Sequence, residues 1–394
     1  MTYKHTIRAC FAGYIVQAIV NNFAPLLFLT FQSEFGVPLA QITFLITFNF
    51  GVQLLVDLLS ALFVDRIGYR ASMILAHAFA VAGFVLLAVL PSVLPNAFAG
   101  LLIAVTIYAV GGGLLEVLVS PIMEACPTEN KEAAMSLLHS FYCWGHVLVV
   151  LLSTVFFAVF GIQHWRVMAL LWALVPAVNM LFFFKVPIAP IVQEGERGLS
   201  LRELASMRIF WIFMLMMVCA GASEQAVSQW ASTFAEKGLG VTKTVGDLAG
   251  PMFFAICMGL ARLIFGKWGD RIPLKKFMLG SALLCIAAYL IIVFVPVPAV
   301  GLIGCGICGF SVGIFWPGTF SLAAAGIRNG GTLMYALFAF AGDIGCGGGP
   351  TLAGAAAAAA GDDLHRGILA AIIFPGLMLV SLVPAGKEER GSGE

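Results

Sequence analysis

Two glutamates stand deep inside long apolar stretches of this chain: Glu116, which follows Gly111-Gly112-Gly113-Leu114-Leu115, and Glu224, which precedes Gln225, Gln229 and Trp230. A carboxylate withdrawn from water binds and releases a proton as its access to solvent changes, so both are candidates to couple an ion and to contact a ligand. No cation lies near Glu116 in sequence. Gln225 and Gln229, four residues apart, share a helical face. Amide donors beside the flat Trp230 indole suit the hydroxyls and the apolar face of a sugar ring; the alternative for Trp230 is an aromatic anchor at the outer membrane interface. His139 and His146 are two helical turns apart and can face one cavity. Imidazole titrates near neutral pH, which makes His146 a candidate to contact ligand and to relay protons to Glu116, whereas His139 reads as a satisfied hydrogen-bonding residue. Gln17, Asn21 and Asn22 add amides in the first apolar run, supported by Asn49 and Gln53 in the second.

Helices crossing a bilayer must position these groups. With 61% hydrophobic and 10% charged residues, a soluble domain of this length could not cover its surface with polar groups, so lipid must be its solvent. A spanning helix needs about 20 apolar residues, and the chain holds twelve apolar runs with short loops, the first from 7 to 31 and the eleventh from 331 to 360. The first is too long for a secretory signal and has no clear small-residue cleavage site, so it is expected to stay as the first span. The longest polar interruption carries Glu194, Glu196, Arg197, Arg202 and Glu203. It divides an N-terminal six-helix bundle (1–186) from a C-terminal one (208–394) by a cytoplasmic linker (187–207). Roughly sixteen Lys and Arg fall on one side of the membrane against four on the other, a bias that places both termini in the cytoplasm.

Several functions are excluded. A net charge of +1 leaves no electrostatic footprint for a nucleic acid. Cys305-x-x-Cys308 lacks a histidine or second cysteine pair to complete a zinc site, and no metal or cofactor is expected. No G-x-x-x-x-G-K-[ST] loop is present to drive transport with ATP, and no H-E-x-x-H or G-x-S-x-G constellation supports an enzyme.

A charged turn occurs twice. Asp65-Arg66-Ile67-Gly68-Tyr69-Arg70 ends the second run, and Gly266-Lys267-Trp268-Gly269-Asp270-Arg271 ends the eighth, about 200 residues later. Superposing the copies brings Asp57 onto Arg262, Gly145 onto Gly342 with His146 onto Asp343, and Pro121 onto Pro317. Two pseudo-symmetric six-helix repeats follow, an arrangement that places substrate between the repeats near the midplane. A charge at the bilayer centre costs about 2.5 to 3.5 kcal/mol, so Asp57 and Arg262 need partners. They either join across the halves to close the inner gate or pair separately within each half. The glycines from Gly342 to Gly349, followed by Pro350, are expected to weaken or bend the eleventh span.

The repeated turn resembles the Gly-x-x-x-Asp-Arg-x-Gly-Arg-Arg/Lys loop of the major facilitator superfamily, with Ala61 at the first glycine of one copy and Pro273 in the other. The resemblance implies an all-α membrane protein of twelve transmembrane helices with the major facilitator fold. It also makes Asp65, Arg66, Asp270 and Arg271 gate residues; the other reading is that they anchor helix ends. A narrower resemblance, to the fucose/galactose/glucose permease branch, rests on Gly111 to Pro121, on Glu224 with Gln229-Trp230, and on Phe315-Trp316-Pro317-Gly318-Thr319-Phe320, with Asn21-Asn22 also fitting. Ser120 stands where that branch has Asn, and Ala24-Pro25 where its fucose-type members carry an acid.

The expected ligand set is Gln17, Asn21, Asn22, Glu116, His146, Glu224, Gln225, Gln229, Trp230, Trp316 and Asp343. Glu116, Glu224 and His146 are expected to couple the ion, and Asp57, Asp65, Arg66, Arg262, Asp270 and Arg271 to form the gate. The expected protein is a monomeric secondary transporter in the cell membrane, moving a small polar solute, foremost a sugar, with a proton or sodium. A drug exporter or organic-anion carrier, its pocket lined by some of the 33 Phe and 15 Met, is the alternative.

Overall fold

The structure, a computed structural model, describes residues 1–127, 131–189, 199–268, 273–327 and 331–383. Every element among the described residues is a helix or helical turn. Lipid imposes this, because backbone N–H and C=O groups in hydrocarbon must find partners within their own segment. Eleven segments are long and apolar enough to cross a membrane, and a further helix, Gly331–Ala359, has 29 residues, making twelve transmembrane helices. On the helix Trp165–Phe183, Leu174, Val178 and Leu181 are exposed by 54 to 61% at spacings of four and three residues, a stripe suited to acyl chains.

The chain forms two compact units, Met1–Val192 and Gln193–Glu394. The first contains α1 (Tyr3–Asn22), α2 (Phe28–Phe35), α3 (Leu39–Ile67), α4 (Tyr69–Val93), α5 (Ala97–Ala125), α6 (Lys131–Phe160) and α7 (Trp165–Phe183). Pro25 sits in a 3-10 turn, Ala24–Leu27, that breaks the first span into α1 and α2. Within this unit α5 packs on α1, α3 and α4, and α1 also packs on α6. The charged turn braces the unit's last helix: Arg70 donates to the carbonyls of Phe183 at 2.7 Å and Val186 at 2.8 Å. Phe183 closes α7 and Val186 lies just beyond it, so the guanidinium caps the helix end.

The second unit contains α8 (Leu201–Ser206), α9 (Arg208–Ser228), α10 (Ala231–Thr233), α11 (Lys243–Asp247), α12 (Phe253–Trp268), α13 (Leu274–Phe294), α14 (Pro298–Val312), α15 (Phe315–Gly326), α16 (Gly331–Ala359), α17 (Leu364–Ala370) and α18 (Ile373–Leu382). Its first span breaks where the first span of the other unit does. Helix α1 ends at Asn21-Asn22, and α9 ends just before Gln229-Trp230, so corresponding spans both interrupt at a polar pair. The expected weakening of α16 is not a break. Gly345 and Gly349 lie against the backbone of Val218 and Ala222 on α9, and this close packing supports a helix that runs on through Pro350.

Candidate functional site

In the N-terminal unit three helices present a ladder of polar side chains. Helix α1 contributes Tyr14, Gln17 and Asn21, spaced three and four residues apart and therefore on one face. Helix α3 contributes Asn49, Gln53 and Asp57, and α5 contributes Gly112, Glu116 and Ser120, each set at intervals of four. Tyr14 Oη and Ser120 Oγ are 3.0 Å apart. Gln17 Nε2 donates to Glu116 Oε2 at 2.7 Å. Asn21 Oδ1 accepts from Gln53 Nε2 at 2.9 Å and from Asn49 Nδ2 at 3.4 Å. The descending order on α5 against the ascending order on α1 is what antiparallel neighbours require.

Glycines make the ladder possible. A Cβ on Gly113 would lie 3.0 Å from the backbone oxygen of Gln53, and one on Gly112 would lie 3.1 Å from Gln53 Oε1. Only bare backbone lets α5 approach α3 so closely at this level. One turn further along both helices, carboxylate oxygens of Asp57 and Glu116 come within 4.8 Å of one another. Asn22 Nδ2 donates to Ala18 O at 2.9 Å and to Tyr142 Oη at 3.3 Å. The ring of His139 stands 5.2 Å from that of Tyr14. His146 is buried on α6 beside Gly145, whose Cα face meets Ile15 and Ala18 of α1.

In the C-terminal unit a chain of donors converges on Glu224. Gln229 Nε2 donates to Gln225 Oε1 at 3.0 Å, and Gln225 Nε2 donates to Glu224 Oε1 at 3.2 Å. The Arg262 guanidinium stands 3.4 Å from Glu224 Oε2 and also donates to Gly313 O at 3.3 Å. Arg262 thus has an ion pair inside its own half. Tyr289 Oη donates to Ser223 O at 2.9 Å, holding α13 against the same turn of α9. Asp343 is buried on α16, and the neighbouring Gly342 faces the ring of half-buried Trp316 on α15.

Trp230 lies at the end of α9, just beyond Ser228. Its indole is fully buried and its N–H donates to Pro350 O at 3.0 Å. The ring therefore fastens the end of α9 to α16. Arg66 is exposed at the end of α3. Asp270, Arg271 and the side chain of Asp65 lie outside the described residues. Sequence reading passed over Tyr14, Tyr142 and Arg70. Tyr14 was legible from its spacing to Gln17 and Asn21, whereas Tyr142 and Arg70 take their roles from residues more than 100 positions away.

The family model of the Major Facilitator Superfamily matches residues 9–350. None of the curated proteins is significantly similar to this chain. Among solved structures, the E. coli fucose:proton symporter superposes with a TM-score of 0.67 at 18% identity, covering 98% of this chain and all of that one. A D-xylose-proton symporter gives 0.77 at 15% identity, with 98% and 97% covered. A bacterial homologue of the human lysosomal transporter Spinster gives 0.76 at 14%, with 99% and 98% covered. At such identities the likeness is one of fold. Together with the family match over most of the sequence and the twelve helices, it means that this chain belongs to the major facilitator superfamily and is a membrane transporter, not an enzyme.

Proposed function

We propose that the protein is a secondary active transporter that moves a small polar solute, foremost a sugar, by alternating access coupled to a proton or sodium gradient. The observation that carries this reading is the concentration of buried and half-buried amides and carboxylates on the polar ladders of both units, above all Gln17 with Glu116 and Gln225 with Gln229 and Glu224. Paired donors and acceptors on rigid helices match sugar hydroxyls, which both donate and accept. The symport of fucose and of xylose by proteins of the same fold is compatible with it. In this reading Gln17, Asn21, Asn22 and Glu116 meet the solute from one six-helix bundle. Gln225, Gln229, Trp316 and Asp343 meet it from the other, with His146 beside the proton path. Glu224, balanced by Arg262, tunes that second surface. The turns at Asp65-Arg66 and Asp270-Arg271 form the cytoplasmic gate, both termini face the cytoplasm, and a monomer in the cell membrane suffices.

The test is uptake of a panel of radiolabelled hexoses and pentoses into proteoliposomes under imposed proton or sodium gradients. Accumulation of at least one sugar above its equilibrium level is expected. If none accumulates while lipophilic cations or organic anions do, the sugar reading is wrong and the drug or anion carrier replaces it.

A further inference from the structure

Three helices of the N-terminal unit meet in a charged cluster at the end away from the Asp65-Arg66 turn. Arg166, at the start of α7, is ion-paired to Glu34 of α2, and it donates to Ser92 Oγ of α4 from Nη2 at 2.7 Å and from Nε at 3.1 Å. The Trp165 indole donates to the other Glu34 oxygen at 2.8 Å. Beside the cluster lies a cavity of about 710 Å³, lined by Glu34, Ser92 and Arg166 and also by Gln41, Ala97 and Phe98. A clasp between helices needs only the bonds already made. Yet Arg166 Nη1 has no acceptor among the described residues. The two Glu34 oxygens accept one donor each, where a carboxylate offers about four lone-pair sites. A cationic donor and an anionic acceptor therefore remain side by side at the cavity.

Apolar stripes lead away from this point on two of the helices that hold it. On α4, Val85, Val89 and Val93 are exposed at intervals of four residues. On α7, Val167, Leu170, Leu174 and Val178 are exposed at intervals of three and four, spacings that line one side of a helix. The two helices pack together, and both stripes start next to the hydrogen bond from Arg166 to Ser92. Val167 to Val178 covers about 16 Å at 1.5 Å per residue, close to half of the roughly 30 Å hydrocarbon core. The charged cluster thus stands where lipid headgroups lie, and the stripes where the acyl chains of one leaflet run.

We propose that Glu34, Ser92 and Arg166 form a binding site for a phospholipid with a primary-amine headgroup, its phosphate on Arg166, its ammonium on Glu34 and its acyl chains along α4 and α7. Guanidinium and phosphate make strong charge-assisted hydrogen bonds. A primary ammonium carries three N–H donors for the unused sites of the carboxylate, whereas a quaternary ammonium carries none. A headgroup with phosphate and no amine would set its charge beside Glu34 without a counter-charge. The aromatic side of the cavity continues toward lipid, since Phe98 lies 6.3 Å from the exposed ring of Phe44 on α3. The site is independent of which solute or ion the protein carries.

Delipidated full-length protein in detergent, titrated with phosphatidylethanolamine, phosphatidylcholine or phosphatidylglycerol while its thermal unfolding temperature is followed, tests the proposal. A ligand held only by the folded state raises that temperature. Phosphatidylethanolamine is expected to act saturably and at about tenfold lower concentration than either other lipid, the scale of one hydrogen bond to a charged group. Glu34→Gln should bring phosphatidylethanolamine and phosphatidylcholine within about threefold of each other. Ala97→Trp, which fills the cavity and leaves both charges in place, should weaken phosphatidylethanolamine by a similar factor, and it carries the test if Glu34→Gln does not elute as folded protein. Soluble glycerophosphoethanolamine, which has the headgroup without acyl chains, should not raise the unfolding temperature. Equal action of phosphatidylethanolamine and phosphatidylcholine on the wild type overturns the proposal, as does a stronger action of phosphatidylglycerol. A preference unchanged in the folded variants, or stabilisation by the soluble headgroup equal to that by the lipid, overturns it as well.

Discussion

Gln17 Nε2 lies 2.7 Å from Glu116 Oε2, a hydrogen bond between side chains 99 residues apart that joins α1 to α5. The amide fixes one carboxylate oxygen and hands the half-buried acid a direction. Removing the ionisable group while keeping the hydrogen bond separates coupling from binding. Glu116→Gln is expected to abolish gradient-driven accumulation in proteoliposomes and to leave counterflow exchange within a few-fold of wild type. Unchanged accumulation would remove Glu116 from the coupling step.

Glu224 and Arg262 face each other with side chains only 10% and 15% exposed. Breaking a buried pair leaves one uncompensated charge, which costs about 3 to 5 kcal/mol. Arg262→Met is therefore expected to lower thermal stability in detergent by an amount near the lower end of that range. The double variant with Glu224→Gln should recover most of it. Exchanging the two charges should likewise rescue activity lost in each single reversal, since the partners are the same two residues.

Trp230 donates its indole N–H to Pro350 O with no part of the ring exposed. Trp230→Phe keeps the ring volume in part and removes one buried hydrogen bond, a loss of about 0.5 to 1.5 kcal/mol. Differential scanning fluorimetry should register a lower unfolding temperature. A selective loss of solute affinity at undiminished stability would instead return Trp230 to the binding surface.

Gly113 permits the contact of α5 with α3 that brings Asp57 and Glu116 together. A Cβ there would stand 3.0 Å from Gln53 O and 3.1 Å from both Gln53 Cα and Val56 Cβ, and overpacking of this kind costs about 1 to 3 kcal/mol. Gly113→Val is expected to destabilise the N-terminal unit and to reduce gradient-driven uptake. Gly51, with nothing within 4 Å of its position, provides the control: Gly51→Ala should change neither.

The class of protein was legible in composition alone, because 61% hydrophobic residues leave a chain no solvent but lipid, and lipid admits only closed hydrogen-bonding structures. The duplicated Asp-Arg turn carried the twofold organisation, and helical spacing placed Gln225 and Gln229 together, as their hydrogen bond shows. Contacts between distant segments were not legible. Within helices that are apolar all round, periodicity does not say which face meets which neighbour, so nothing in the sequence placed Arg262 beside Glu224. The fate of Trp230 depended on a carbonyl 120 residues away. The break after Asn22 was likewise hidden within one apolar run. Sequence by itself determined the solvent, the helices and the inventory of buried polar groups, since these follow from residue type and local spacing. Tertiary structure alone decided the pairings, because they are set where glycines let particular helices approach, and that distance is a property of two surfaces and not of one.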